Sequence, residues 1–413
     1  MNLAEMLATV QKATPEQFKD MVEGTNKLTG SMPWIPNPGP QSDAYWSKAD
    51  VLLFGGEPGG GKAVHVSTPI PTYYGWSTME EMDVGDRVFA ENGDVCQVVG
   101  KSPVFTEDTY RLTFSDGSEV IAGARHQWVT SNRAERQRKL KCNDGYRARR
   151  RATRPLRGTG KKPWLAELNT KNAKSQNLPF SSIKTTETIA ETIHRYDGGL
   201  NHAVGVAGSL CLPESKLLIE PYVLGAWLGD GCSSSGAIAG IDEEIFSEVA
   251  NSYEVSLHVN PYSRGVWGLM GDLRQLGVLG NKHIPAAYLR SSHEQRLELL
   301  QGLMDTDGHC DKRGQCEIQL TRKALIDGVQ ELIHSLGIKV EMHEGEAKLY
   351  GRVTGPKWRL KFMTDLPAFK LARKLIRQKR SGFRGTHNQR YITSCELIDP
   401  VPLQCIQVDS PSH

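Results

Sequence analysis

Gly56-Glu57-Pro58-Gly59-Gly60-Gly61-Lys62-Ala63 begins a phosphate-binding loop and does not finish it. Gly56, Gly61 and Lys62 stand at P-loop spacing. They follow a short apolar run, Val51-Leu52-Leu53-Phe54, that reads as a buried strand. The next residue should be Ser or Thr, whose hydroxyl holds the Mg²⁺ of a bound nucleotide, and a helix should follow with its N-terminus at the phosphates. Ala63 has no hydroxyl. The stretch after it, Val64 to Thr72, is β-branched and holds Pro69 and Pro71, which that helix could not accommodate. The simplest reading is a module inserted directly after Lys62.

The 413 residues suggest two to four domains. No apolar run approaches the ~18 residues of a membrane span, and the start Met1-Asn2-Leu3-Ala4-Glu5 is not that of a signal peptide. The eight cysteines show no paired spacing and are expected to be reduced thiols. A soluble, cytoplasmic protein is expected. Net charge is only +3, but residues 133–162 hold thirteen Lys and Arg against two acids. That block suits a polyanion, or a solvated linker.

Residues 63–131 alternate short β-type runs with turn signals, among them Glu91-Asn92-Gly93-Asp94 and Ser115-Asp116-Gly117-Ser118, and are expected to form an all-β module. Residues 132–185 are basic and polar, a linker or DNA-facing arm. Then comes a repeat. Pro221 to Gly231 and Leu299 to Gly308 are two helical patterns, each ending in Asp-Gly, each followed by turns, strand patterns and a further helix (Glu243 to Tyr253, Arg322 to Leu336). Residues 376–413 return to strand patterns.

A carboxylate at a helix C-terminus faces the negative end of the dipole. One such Asp can simply end a helix at a turn. Two, Asp230 and Asp307, at matching places in a repeat point to a shared cation. Mg²⁺ accepts few carboxylates together with waters and phosphate oxygens, the setting of phosphodiester hydrolysis. Both helices resemble the LAGLIDADG motif of homing endonucleases, and Lys282-His283-Ile284-Pro285 is similar to that family's Lys-x-Ile-Pro block. Over about 185–375 the resemblance implies Asp230 and Asp307 as metal ligands, Lys282 as a catalytic lysine, and double-stranded DNA as substrate. Leu228 stands where the first motif should carry its first acid. Two repeats in one chain imply a monomeric nuclease.

The β segments on either side of the nuclease resemble an intein, the Hint fold that excises itself from a host protein. The resemblance rests on Thr68-Pro69-Ile70, on Gly123-Ala124-Arg125-His126-Gln127-Trp128 and on Cys405-Ile406-Gln407-Val408-Asp409. Ala63 cannot be the usual first nucleophile. The arrangement is similar to the third splicing class, which implies that Cys405 attacks the Lys62 carbonyl, His126 protonates the departing Ala63 amine and Trp128 packs beside them. Gly123 stands in place of the family's Thr, three residues before the His. The family's terminal Asn and downstream nucleophile are missing before His413, so a C-terminally truncated intein is expected, one that forms the thioester and releases residues 1–62 without ligation.

Before the junction, Pro38-Gly39-Pro40-Gln41 followed by strand and P-loop resembles a phage terminase large subunit, with Gln41 reading adenine and Gly56, Gly61 and Lys62 holding phosphate. On that resemblance ATP and Mg²⁺ serve only the spliced host protein, in the cytoplasm of a phage-infected cell. The full expectation is a multi-domain chain. Residues 1–62 are host sequence, and 63–131 with 376–413 form a discontinuous, all-β, horseshoe-like Hint domain. A basic arm spans 132–185, and an α+β endonuclease with two pseudo-symmetric repeats spans 186–375. Two other readings stay open: a nuclease or DNA-binding protein on an inert β scaffold, and a degenerate P-loop ATPase.

Overall fold

The computed structural model describes residues 63–142, 181–256, 262–350, 352–381, 383 and 387–410. Gln41, Gly56, Gly61, Lys62, most of the basic block and the last three residues lie outside them.

The β half is built from both ends of the described chain. One antiparallel sheet runs, in spatial order, Leu403–Gln404, Val64–His65, Glu119–Gly123, Thr109–Phe114, Gln389–Ile398, Ala203–Gly205, Gln127–Ser131 and Ser182–Thr185. A second runs Ile406–Val408, Val95–Lys101, Arg87–Phe89, Pro69–Thr72 and Gly75–Thr78. Strand alternation explains the faces. In Thr109–Phe114, Leu112 and Phe114 are buried on one face, and they join Val64, Met79, Ala122, Ile189 and Ile392 in one interior. The hairpin turn between Phe114 and Ser118 uses Gly117 at φ +83° and the Asp116 carboxylate, which accepts from Ser118 N (3.2 Å) and Oγ (2.7 Å).

Two expected boundaries change. Ser182–Thr185 pairs with Gln127–Thr130, and Ala203–Gly205 with Gln389–Tyr391. The helix between them, Thr186–Glu191, sends Ile189 into the β interior. The β half therefore extends past 185 to Gly205. The supposed irregular arm also begins as a helix, Arg133–Cys142.

The other half is organised by two helices. Pro221–Asp230 is buried from Pro221 to Leu228, because it is apolar all round; the Glu220 carboxylate caps it by accepting from Val223 N (3.0 Å). His293–Thr306 starts at a capping box of Ser292 and Gln295. The two cross at glycines. A Cβ on Gly225 would lie 2.3 Å from the Leu299 oxygen, and one on Gly302 would lie 2.2 Å from the Tyr222 oxygen. Backbone therefore meets backbone, and only glycine fits. Around this pair lie the helices Glu243–Val249 and Lys323–Ser335 and an antiparallel sheet, Gly308–Cys310, Cys316–Leu320, Arg352–Phe362 and Val340–Leu349. Arg290 joins the halves, donating from Nε to the Thr72 oxygen (3.0 Å) and from Nη1 to Glu331 (2.8 Å).

Candidate functional site

Close helix packing carries Asp230 and Asp307 to one end of the pair. The place a Cβ would take on Gly229 is 3.5 Å from Asp307 Oδ2. Burial, then the nearby Asp230 carboxylate, pushes Asp307 up to about 6. Burial also raises Asp230, against the pull of Lys282 and Lys374. Two carboxylates held together at helix C-termini repel each other, and a cation between them would relieve that repulsion. Among the described residues no set of three or more His, Cys, Asp or Glu could hold a metal. The pair leaves most coordination positions to water and phosphate, which fits Mg²⁺ better than a metal needing a full protein cage.

Each helix end also has a lysine. Lys282 Nζ donates to the oxygens of Leu228 and Gly229, both at 3.0 Å, and lies 4.9 Å from the Trp227 ring centroid. Burial pushes it down to about 8, with Asp307 and Asp230 opposing. Lys374 does the same for the second helix, donating to the oxygens of Met304 (3.0 Å), Asp305 (2.7 Å), Thr306 (3.2 Å) and Gly308 (2.8 Å). Sequence reasoning found Lys282 through its Ile-Pro block and missed Lys374. The two lysines follow their aspartates at unequal distances along the chain, and Lys374 sits in the unremarkable run Leu371-Ala372-Arg373-Lys374.

The departure at Leu228 has a structural reason. Its counterpart, Asp305, is buried and faces away from the carboxylate pair, accepting from Tyr222 Oη (2.9 Å) and from the N–H groups of Lys370 (3.1 Å) and Leu371 (3.2 Å). It anchors the segment that carries Lys374. Leu228 is itself buried in the core.

The second site lies where the first strand, Val64–His65, meets Leu403–Gln404 near the end of the chain. Val64 pairs with Gln404 on one side and Ala122 on the other. Gly123 N donates to the Ala63 oxygen at 3.0 Å. Continuing the Val64–Gln404 register by one residue sets Cys405 opposite Ala63. Cys405 is buried; its N–H donates to Ser102 Oγ (3.1 Å), and Ser102 N donates to its oxygen (2.9 Å). His126 N donates to the Gly123 oxygen (3.0 Å), so the turn carrying His126 hangs from the residue that grips Ala63. The His126 and Trp128 rings meet edge-on at 4.5 Å. Thr186, which sequence reasoning passed over, fixes both: its N–H donates to the His126 oxygen (2.9 Å) and its Oγ1 accepts from Trp128 Nε1 (3.0 Å).

With this geometry in view, residues 283–355 match the family described as homing endonuclease. The chain carries a homing endonuclease domain. The match takes in Asp307 and leaves out Asp230 and Lys282. A replicative DNA helicase DnaB of Mycobacterium intracellulare is 35% identical over 370 residues, covering 88% of this chain and 58% of the relative. That span exceeds the length from Ala63 to His413, so it reaches into the residues before Ala63. The DnaB of Mycobacterium leprae is 31% identical over 134 residues, 32% of this chain and 19% of the relative. The chain thus spans less than two thirds of either. Among solved structures, the Msm DnaB1 intein splicing domain bound with zinc is 38% identical over 16% of this chain and 54% of its own, with TM-score 0.16. The gp41-1 intein is 28% identical over 17% and 54%, also with TM-score 0.16. The relatives carry the name of a helicase, where the motifs before Ala63 had suggested a terminase. No helix among the described residues is long and apolar enough to cross a membrane.

Proposed function

We propose that the chain is an intein that carries a LAGLIDADG homing endonuclease and interrupts the P-loop of a host protein after Lys62. The observation that carries this reading is the first strand, Val64–His65, lying between Leu403–Gln404 and Glu119–Gly123, which sets Cys405 and Gly123 on either side of Ala63. The Cys405 thiol attacks the Lys62 carbonyl, and the Lys62–Ala63 bond breaks as the thioester forms. A thiol suits this role because it is intrinsically nucleophilic and part-ionised near neutrality. His126 delivers the proton to the Ala63 nitrogen, oriented by Trp128 and Thr186. This is the mechanism of the third splicing class.

In the endonuclease, Asp230 and Asp307 would hold a divalent cation, Mg²⁺, which supplies activated water and stabilisation of the leaving oxygen. Lys282 and Lys374 neutralise the helix ends beside the carboxylates and present positive charge to a DNA phosphate. One chain contributes both carboxylates, so a monomer suffices for double-stranded DNA cleavage. For the host, Gln41, Gly56, Gly61 and Lys62 are read as the nucleotide site of a terminase-like ATPase. The similarity to a DNA helicase also reaches Gly56, Gly61 and Lys62, and a P-loop protein acting on DNA accommodates both.

Two measurements test the reading. Incubating the chain with dithiothreitol should cleave it after Lys62, and Cys405→Ala should abolish this; undiminished cleavage in that variant sinks the thioester mechanism. A DNA library cut in the presence of Mg²⁺ should yield a preferred site, and Asp230→Asn or Asp307→Asn should lower cutting by at least 100-fold.

A further inference from the structure

Gly123 stands where the resembling family carries Thr, and the structure puts another residue in the space that side chain would take. Gly123 is opposite Thr109 on one side and, one residue beyond the Val64–Ala122 pair, opposite Ala63 on the other. Directly opposed residues share a face of the sheet. Cys405, Ala63, Gly123 and Thr109 therefore form one row across four strands, spaced about 4.8 Å apart. Glu107 precedes Thr109 by two residues, and its side chain folds onto this row. A Cβ on Gly123 would lie 2.0 Å from Glu107 Oε1, 3.0 Å from its Cδ and 3.1 Å from Leu403 Cδ1. The other carboxylate oxygen is 4.0 Å from Arg125 Nε, whose side chain is 86% exposed, while that of Glu107 is 21% exposed. A solvent-screened partner at that distance contributes little. A mostly covered carboxylate is thus held about one strand spacing from Ala63, whose nitrogen is the leaving group in the thioester reading.

We infer that Glu107 is the anionic partner of the Ala63 amine as it leaves Lys62, a positioning role that takes over from the missing Thr. The inference rests on the thioester reading above. In that step the Cys405 sulfur–Lys62 carbon bond forms, the Lys62 carbon–Ala63 nitrogen bond breaks, and the thiol proton ends on the nitrogen. The free amine then takes a proton from water, since α-amino groups titrate near about 8. A hydroxyl would polarise the carbonyl; a carboxylate cannot. It instead stabilises the ammonium and opposes return of the amine to the thioester.

The test is dithiothreitol-induced cleavage of the full chain between pH 6 and 9, read by mass spectrometry, in the parent chain, Glu107→Gln, Glu107→Asp and Cys405→Ala. Glu107→Gln keeps shape and removes charge. It should slow cleavage about tenfold near pH 6.5 and little at pH 9, where the amine is neutral in either protein. Glu107→Asp should keep the parent pH profile. A Glu107→Gln profile that matches the parent, or one lowered equally at every pH, overturns the inference and leaves the thioester mechanism standing if Cys405→Ala is inactive. Full cleavage in Cys405→Ala overturns both.

Discussion

Gly302 faces the backbone of the first core helix so closely that a methyl group has no room. The atom it would meet, the Tyr222 oxygen 2.2 Å away, belongs to a helix and cannot swing aside. Gly302→Ala must therefore push the helices apart, at a cost of about 1–3 kcal/mol or more. The same shift separates Asp230 from Asp307. DNA cleavage should fall by at least tenfold in this variant, while thiol-induced cleavage after Lys62 is kept, because the β half has its own interior around Leu112 and Ile392. Parallel assays on one preparation check both. Loss of the two activities together would mean that the halves fold as one unit. Tyr222→Phe is a milder probe. It removes the hydroxyl from Asp305 but leaves the two backbone donors, and should cost about 1 kcal/mol by urea denaturation.

Among the elements, the short turn of helix Ala372–Leu375 contributes most relative to its size, through Lys374. Four carbonyls at the end of the second helix accept from this one ammonium, and burial pulls its pKa down. Lys374→Met should leave those carbonyls without their donor and the carboxylate pair with one lysine instead of two. DNA cleavage is expected to drop at least tenfold, with binding of uncut DNA less affected; unchanged cleavage would reduce Lys374 to a helix cap. This residue also marks where the sequence stops being legible. The two core helices could be read because apolar periodicity, Pro221 and the repeated Asp-Gly are local signals. So could the hairpin at Asp116-Gly117, whose turn chemistry lies within a few residues. Ser182–Thr185 and Ala203–Gly205 could not, since strands of four and three residues carry no period and are fixed only by partners more than fifty residues away, or nearly two hundred. Glu107 and Thr186 likewise gain their meaning from tertiary neighbours, Gly123 and Trp128.

At the scale of the whole molecule, the strand Gln389–Ile398 returns the chain from the endonuclease to the β half, and Arg390 secures it. Its Nε lies 2.5 Å from Asp116 Oδ2, and its guanidinium sits 4.5 Å from the Phe114 ring centroid. Burial alone would raise the Asp116 pKa. The Ser118 hydrogen bonds and the Arg390 charge outweigh it, and the carboxyl stays below its ordinary value. A carboxyl whose folded pKa is depressed adds stability that is complete above its unfolded pKa of about 3.9 and is lost as pH falls through the lower folded value. The parent chain should therefore lose this contribution only below about pH 4. Arg390→Met reverses the sign. It strands Asp116 as an unpaired, partly buried anion, a change that costs about 3 kcal/mol at neutral pH. Protonating Asp116 relieves that cost, so the stability gap between variant and parent should narrow as pH is lowered from 7 to 4. Urea midpoints followed by tryptophan fluorescence at several pH values give the gap directly. A gap that is constant with pH would mean that Arg390 acts by packing on Phe114 alone. Because this strand leads into Leu403–Gln404 and so to Cys405, thiol-induced cleavage should follow the same pH-dependent gap, which DNA cleavage at saturating Mg²⁺ should not.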